Sequence, residues 1–399
     1  MFFFRSKGRI VVERHGKRQE LVPARGEDAN YVTSMYDFIE LRSSIPSREG
    51  RRALSRVAEE DWYIGHEAPL ELGISNRREF TRKKAADRGD IPAPMPFRAL
   101  DNQLKPFRNA ESVKLAIVNG FGVGVGDNLV GMTAFREVRK RLAAAGIGEA
   151  RVEMWVRPGA YDNAVAVNEM HGGIDRVEML PMPVERFKAL NGFWDLGGLV
   201  DRPMVNRRCT VDFFLELMGV DPSGVTRDEK RNRLSLSIPV VKEVGDATRE
   251  LTGRYLILHP LSRSVQRNMP AEVFRELAAR LVKATDMDIA SVVPVPKVHD
   301  RHVDLSAISG RSFQHYCTVV KNASALVSVD TSIYHIGDCF SVPSVVIFST
   351  VMPELRCRYY PYVEGIPLPG LGKADPLSLW PRLDLDYLVQ TLVERLPLD

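Results

Sequence analysis

One order of elements occurs twice along this chain and constrains it more than anything else. Near residue 114 a short apolar run, Lys114-Leu115-Ala116-Ile117-Val118-Asn119, breaks into glycines and then into a helical pattern. Near residue 254 the same order begins again. An apolar run without polar alternation, bounded by a glycine turn, suits a strand buried on both faces of a parallel sheet. After the first run, Leu129, Met132, Phe135, Val138 and Leu142 recur at spacings of three and four, with Arg136, Arg139 and Lys140 between them. That pattern predicts an amphipathic helix closed by Gly146. Residues 151–156 and 177–180 read as further strands, and residues 210–218 as a helix closed by Gly219.

In the second series, residues 255–260 read as a strand, followed by a polar loop. A helix then opens at Pro270, a residue suited to a first helical position, and presents Val273, Phe274, Leu277, Leu281 and Val282 on one face. Strands are expected at 289–295, 325–329 and 344–348, and a C-terminal helix at 387–396. Two such series imply two α/β domains, each built on a parallel sheet. Residues 238–247 read as their junction. With 399 residues the chain is long enough for both domains and an extension.

The extension is residues 1–110. A β-hairpin is expected over 10–22 around Gly16, and a helix near 40–60. Arg77, Arg78, Arg82, Lys83, Lys84 and Arg88 form a basic stretch, and Pro92, Pro94 and Pro96 then break regular structure as a linker would. The expected organisation is an accessory region at 1–110, α/β domains at 111–245 and 246–385, and a C-terminal helix within 386–399.

A net charge of +4 is too small for a dedicated nucleic-acid binder, but it suits an anionic small molecule or an anionic membrane surface. No stretch approaches the ~20 apolar residues of a membrane span. Phe2, Phe3 and Phe4 are too few for a signal-peptide core. A cytoplasmic protein is expected, with peripheral attachment at the inner membrane face left open. Cys209, Cys317, Cys339 and Cys357 show no metal-type spacing and read as reduced thiols.

Three strand-to-helix loops carry candidate chemistry. The first is Gly120-Phe121-Gly122-Val123-Gly124-Val125-Gly126-Asp127-Asn128. Its GxGxG spacing, and Arg157 after the next strand where a nicotinamide dinucleotide would want an acid, argue against an NAD site. Asp127 would stand at the carboxyl edge of the sheet, where it could take a proton from a hydroxyl or cap the helix; spacing leaves both roles open. Gly124, Gly126 and Asn128 flank it. The second loop carries Ser262, Arg263, Ser264 and Arg267, whose cations could neutralise phosphate or simply be solvated. The third delivers Asp330, Thr331 and Ser332 onto a helix start, with His335 a turn later, an arrangement that fits a diphosphate or a capped helix with a core histidine.

Together these segments resemble the lipopolysaccharide heptosyltransferase family, the ADP-heptose-dependent glycosyltransferases of family 9. The opening strand, Gly126-Asp127 and helix are similar to the family's opening. Ile257-Leu258-His259-Pro260 through Arg267-Asn268-Met269-Pro270 is similar to its donor-domain loop. Ser328-Val329-Asp330-Thr331-Ser332 with His335 is similar to its Asp-Thr-Gly-x-x-His segment. The resemblance runs from about Lys114 to Pro353.

It implies a GT-B fold, with acceptor on the first domain and nucleotide sugar on the second. Asp127 would be the base, and Ser262, Arg263, Arg267, Asp330, Thr331, Ser332 and His335 would hold the donor. Transfer would be inverting and metal-independent, from a nucleotide diphosphate sugar (an ADP-sugar by resemblance) to a glycan, lipid-linked or protein acceptor, with no other cofactor. Ser332, Arg267 and Met269 replace the family's glycine, lysine and tryptophan, and Asp300 stands in for its acidic donor residue. Two other readings share the fold: a catalytically degenerate scaffold, and a nucleotide-sugar epimerase.

Overall fold

A computed structural model describes residues 99–396 apart from 181, 184–185, 188, 198–206 and 373–374, together with N-terminal strands at 2–5, 10–14, 17–21 and 62–65. The N-terminal strands are β1 (Phe2–Arg5), β2 (Ile10–Arg14), β3 (Lys17–Leu21) and β4 (Trp62–Gly65). The expected hairpin is present, with β2 and β3 antiparallel and Arg14 opposite Lys17. The helix expected near 40–60 and the basic stretch at 77–88 lie outside the described residues.

The first domain is a parallel sheet of β5 (Ser112–Val118), β6 (Glu149–Val156), β7 (Arg176–Met179) and β9 (Gly192–Asp195), in the order β7-β6-β5-β9. Helices α1 (Val125–Ala144), α2 (Pro158–His171) and α3 (Thr210–Leu217) belong to it. The amphipathic pattern that predicted α1 holds: Leu129, Met132, Phe135, Val138 and Leu142 are all buried. Gly146 and Gly219 follow their helices at φ of +71° and +79°, as closing glycines should. The short strand β8 (Met182–Pro183) leaves this sheet and pairs with β4, so the N-terminal region is joined to the first domain through backbone hydrogen bonds.

The second domain has six parallel strands: β10 (Tyr255–His259), β11 (Asp288–Ser291), β12 (His302–Asp304), β13 (Ala325–Val329), β14 (Ser344–Phe348) and β15 (Val363–Pro367). Their order, β12-β11-β10-β13-β14-β15, is that of a doubly wound sheet whose direction of winding reverses between β10 and β13. The alternation along each strand divides two faces. Leu256, Leu258, Val327, Val345 and Ile347 pack under α5 (Ala271–Thr285) and α8 (Leu385–Val393). Tyr255, Ile257, Leu326, Val346 and Phe348 face α6 (Phe313–Asn322) and α7 (Ile333–Cys339), in a core continuous with that of the first domain.

Two expectations shift. Residues 238–247 are not a junction but part of helix α4 (Ile238–Leu251), which buries Val244 and Thr248 and packs against α6, with Arg311 bonded to Glu243. The C-terminal helix is also no separate unit, because Leu388, Val389 and Leu392 complete the core beneath α5. Pro270 sits one position earlier than expected, at the N-cap of α5. The four cysteines are free thiols.

Candidate active site

In open α/β sheets, ligands bind outside the carboxyl ends of strands where the winding direction reverses. In the first sheet that point lies between β5 and β9, in the second between β10 and β13. The loops leaving β5, β10 and β13 are the three that the sequence singled out. They face one another across the interdomain cleft.

On the first side, the glycines make room for one carboxylate. Asp127 is the third residue of α1, not its N-cap, and its Oδ2 accepts a reciprocal capping bond from the Gly124 N–H at 3.3 Å. Among the described residues its Oδ1 has no hydrogen-bond partner. Gly122, at φ +136°, lies so close that a Cβ would come within 2.8 Å of the Asp127 Cβ. Asn128 is fully buried and braces the loop, its Nδ2 donating to the Gly122 and Gly124 carbonyls. It thus supports the loop through its Nδ2, while its Oδ1 is buried without a hydrogen-bond partner among the described residues.

Asp127 is open to solvent at the cleft but enclosed by protein elsewhere. That enclosure raises its pKa above the ordinary carboxylate value; the Gly124 N–H, then Arg356 and Arg267, pull in the opposite direction. A carboxyl with a raised pKa and one unbonded oxygen is equipped to take a proton.

On the second side, Asp330 is tightly held. Its Oδ2 accepts from Arg267 at 3.1 Å and its Oδ1 from the Tyr334 hydroxyl at 3.1 Å. Thr331 and Ser332 are half-buried, and among the described residues their hydroxyls have no protein partner. The buried His335 ring lies 4.1 Å from the Tyr334 ring, centroid to centroid. Burial lowers its pKa to about 3, helped by the Arg356 charge, so the imidazole is neutral. It meets the first domain directly: a Cβ on Gly126 would lie 3.0 Å from His335 Cδ2 and 3.4 Å from Nε2.

Around β10, the Ser262 N–H donates to Asn268 Oδ1 at 2.6 Å, closing the loop, while the Ser262 hydroxyl is buried and unpartnered. Two more orphaned buried groups, His259 Nδ1 and Ser328 Oγ, sit on directly paired residues of β10 and β13. Arg263 is exposed at the rim.

Asp300 is not brought to the cluster. Because β12 runs parallel to β11 and starts opposite Ile289, the chain must return to the amino edge of the sheet before His302. Asp300 lies there, beside Arg301, which pairs with Asp286 and Asp288.

Sequence reasoning missed Arg356. It follows β14 and half-buries a guanidinium that donates to Thr210 Oγ1 across the domains at 2.9 Å. Among the described residues it has no carboxylate partner, whereas Arg267 is committed to Asp330. No regular element announces it, and only an arginine two residues beyond the motif Pro353-Glu354 hints at it.

Two parallel-sheet α/β domains with their strand carboxyl ends lining a shared cleft define a GT-B-type fold. No protein-family model matches this sequence, and no curated protein matches it. Several solved structures are similar to it. One is the glycosyl transferase family 9 protein from Veillonella parvula DSM 2008, 13% identical over 71% of this chain and 97% of that one, with a TM-score of 0.48. Another is E. coli ADP-heptose lps heptosyltransferase II, 13% identical over 71% and 99%, with a TM-score of 0.48. E. coli heptosyltransferase WaaC with ADP is 14% identical over 71% and 100%, with a TM-score of 0.46. These belong to the family that the sequence motifs resemble.

Proposed function

We propose that this protein is a glycosyltransferase that moves a sugar from a nucleotide diphosphate sugar to a hydroxyl of a glycan, lipid-linked or protein acceptor, with inversion and without a metal ion. One observation carries this reading. A partly free carboxylate with a raised pKa, Asp127, faces a cluster of unpartnered hydroxyls, cationic groups and a neutral imidazole on the opposite domain. Asp127 would take the proton of the acceptor hydroxyl as its oxygen attacks the anomeric carbon. Thr331 and Ser332 would donate to the diphosphate, and Arg356 and Arg267 would offset the charge that develops as it leaves. An ADP-sugar is the donor implied by the sequence resemblance.

The proposed setting is the cytoplasm, with peripheral contact at the inner membrane face. Among the described residues no helix is long and apolar enough to cross a membrane.

The test is a thermal-shift screen against nucleoside diphosphates and their sugar conjugates, because a ligand of the native state raises the melting temperature by mass action. Acceptor trials with the binding donor come next. Transfer that is lost in Asp127→Asn while nucleotide binding is kept is the expected result. Full turnover by that variant would remove Asp127 as base, and conversion of the donor without acceptor would indicate an epimerase.

A further inference from the structure

His335 is held by a chain of hydrogen bonds whose direction can be worked out. The Asn232 Nδ2 lies 3.5 Å from the His335 carbonyl, and a carbonyl only accepts, so the amide nitrogen must face it. The Asn232 Oδ1 correspondingly lies 2.8 Å from the Thr133 hydroxyl. The Tyr360 hydroxyl belongs to a buried side chain. That hydroxyl lies 2.8 Å from His335 Nδ1. Among the described residues its hydrogen-bond partner is the His335 ring. Among the described residues the Tyr360 proton therefore has one acceptor, the Nδ1 of His335. A proton aimed anywhere else would leave a buried donor unpaired, which costs about 1–3 kcal/mol.

We propose that Tyr360 is a positioning residue that fixes His335 as the Nε2–H tautomer, so that the imidazole acts as a neutral hydrogen-bond donor to a diphosphate oxygen in the cleft. This rests on the functional reading above. It also separates the roles of the two ring nitrogens: Nδ1 is an acceptor, bound within the protein, and the Cδ2–Nε2 edge lies against Gly126 beside the proposed base. Stacking on Tyr334 fixes the plane of the ring, and Tyr360 fixes which nitrogen carries the proton. The low pKa of His335 agrees with this role, since a neutral ring has a tautomer to choose. His335 is accordingly neither the general base nor a cation for the phosphate.

The experiment is NMR of the full chain with ¹⁵N-labelled histidine, the His335 signals being assigned by their loss in His335→Gln. The wild-type protein is expected to show an unprotonated Nδ1 and a protonated Nε2, with Nε2 shifting when inorganic pyrophosphate is titrated in. In Tyr360→Phe the tautomers should mix. A protonated Nδ1 in the wild type, an unchanged tautomer in Tyr360→Phe, or a pyrophosphate titration that leaves Nε2 unmoved overturns the proposal.

Kinetics give a second arm. With a donor in hand, Tyr360→Phe should lower kcat about 10-fold or more with a smaller change in KM. It should do nothing further in a His335→Gln background, where the amide needs no tautomer. An additive loss in the double variant would make Tyr360 merely structural. If no nucleotide sugar is turned over, the functional reading fails while the tautomer assignment and the pyrophosphate shift still stand or fall alone.

Discussion

Asp127 and Asp330 occupy matching places in the two domains: each follows the carboxyl end of a central strand and stands at the opening of a helix. Their surroundings differ. Asp330 is 4% exposed and has both oxygens bonded, one to Arg267 and one to Tyr334. Asp127 gives one oxygen to a backbone N–H and leaves the other to the cleft. A carboxylate with both oxygens committed holds its neighbours in place. One with a free oxygen and a raised pKa can exchange a proton. The difference lies in what the partner elements supply to Asp127, in the first turn of α1, and to Asp330, directly after β13.

The sharpest way to break this contrast is isosteric substitution. Asp127→Asn keeps a side-chain oxygen for the Gly124 cap but removes the base, so kcat is expected to fall about 10²–10⁴-fold with nucleotide affinity kept. Asp330→Asn should instead weaken nucleotide binding, measured by calorimetry, with a smaller effect on kcat. Equal losses of kcat in the two would erase the distinction. Next in size is Gly126→Ala, whose Cβ would force the His335 ring to move; a loss of activity on the order of 10-fold is expected, because small misplacements near reacting groups are costly.

Arg356→Gln probes the free carboxylate by pH. Arg356 lowers the Asp127 pKa, so its removal raises it further, and the acidic limb of the kcat/KM profile should move to higher pH. An unmoved limb would uncouple the two residues. The smallest effect concerns Asp338, whose pKa burial pushes up to about 6 despite its bonds to Asn232 and Arg231. The folded state then holds a proton more tightly than the unfolded chain between the unfolded carboxyl value and about 6, so stability declines as pH rises through that window. Melting temperatures across it should show less decline in Asp338→Asn.

Much of this was legible in the sequence because strands and loops at switch points have local signatures. The run at 114–119 and the glycines after it located β5 and Asp127; the Val329-Asp330-Thr331 step located Asp330 at the end of β13. What escaped came from irregular segments. Arg356, Tyr360 and Asn232 lie outside any helix or strand, and only tertiary packing brings them to His335. Asp300 failed for a topological reason: proximity in sequence to a strand's carboxyl end says nothing once a parallel partner forces the loop back to the other edge. The glycine loop was read for ligand approach, but its glycines at 122 and 126 are filled by the protein's own Asp127 and His335.

The segment at 231–232 also shapes how the cleft can move. Arg231 and Asn232 bond Asp338, one turn beyond His335 on α7, and Asn232 reaches Thr133 on α1. The two halves are therefore riveted close to the approach of His335 to Gly126. Any opening that keeps these bonds leaves the close approach of His335 to Gly126 in place. Substrates could come and go through a widening mouth while the innermost registration of the two halves survives each cycle.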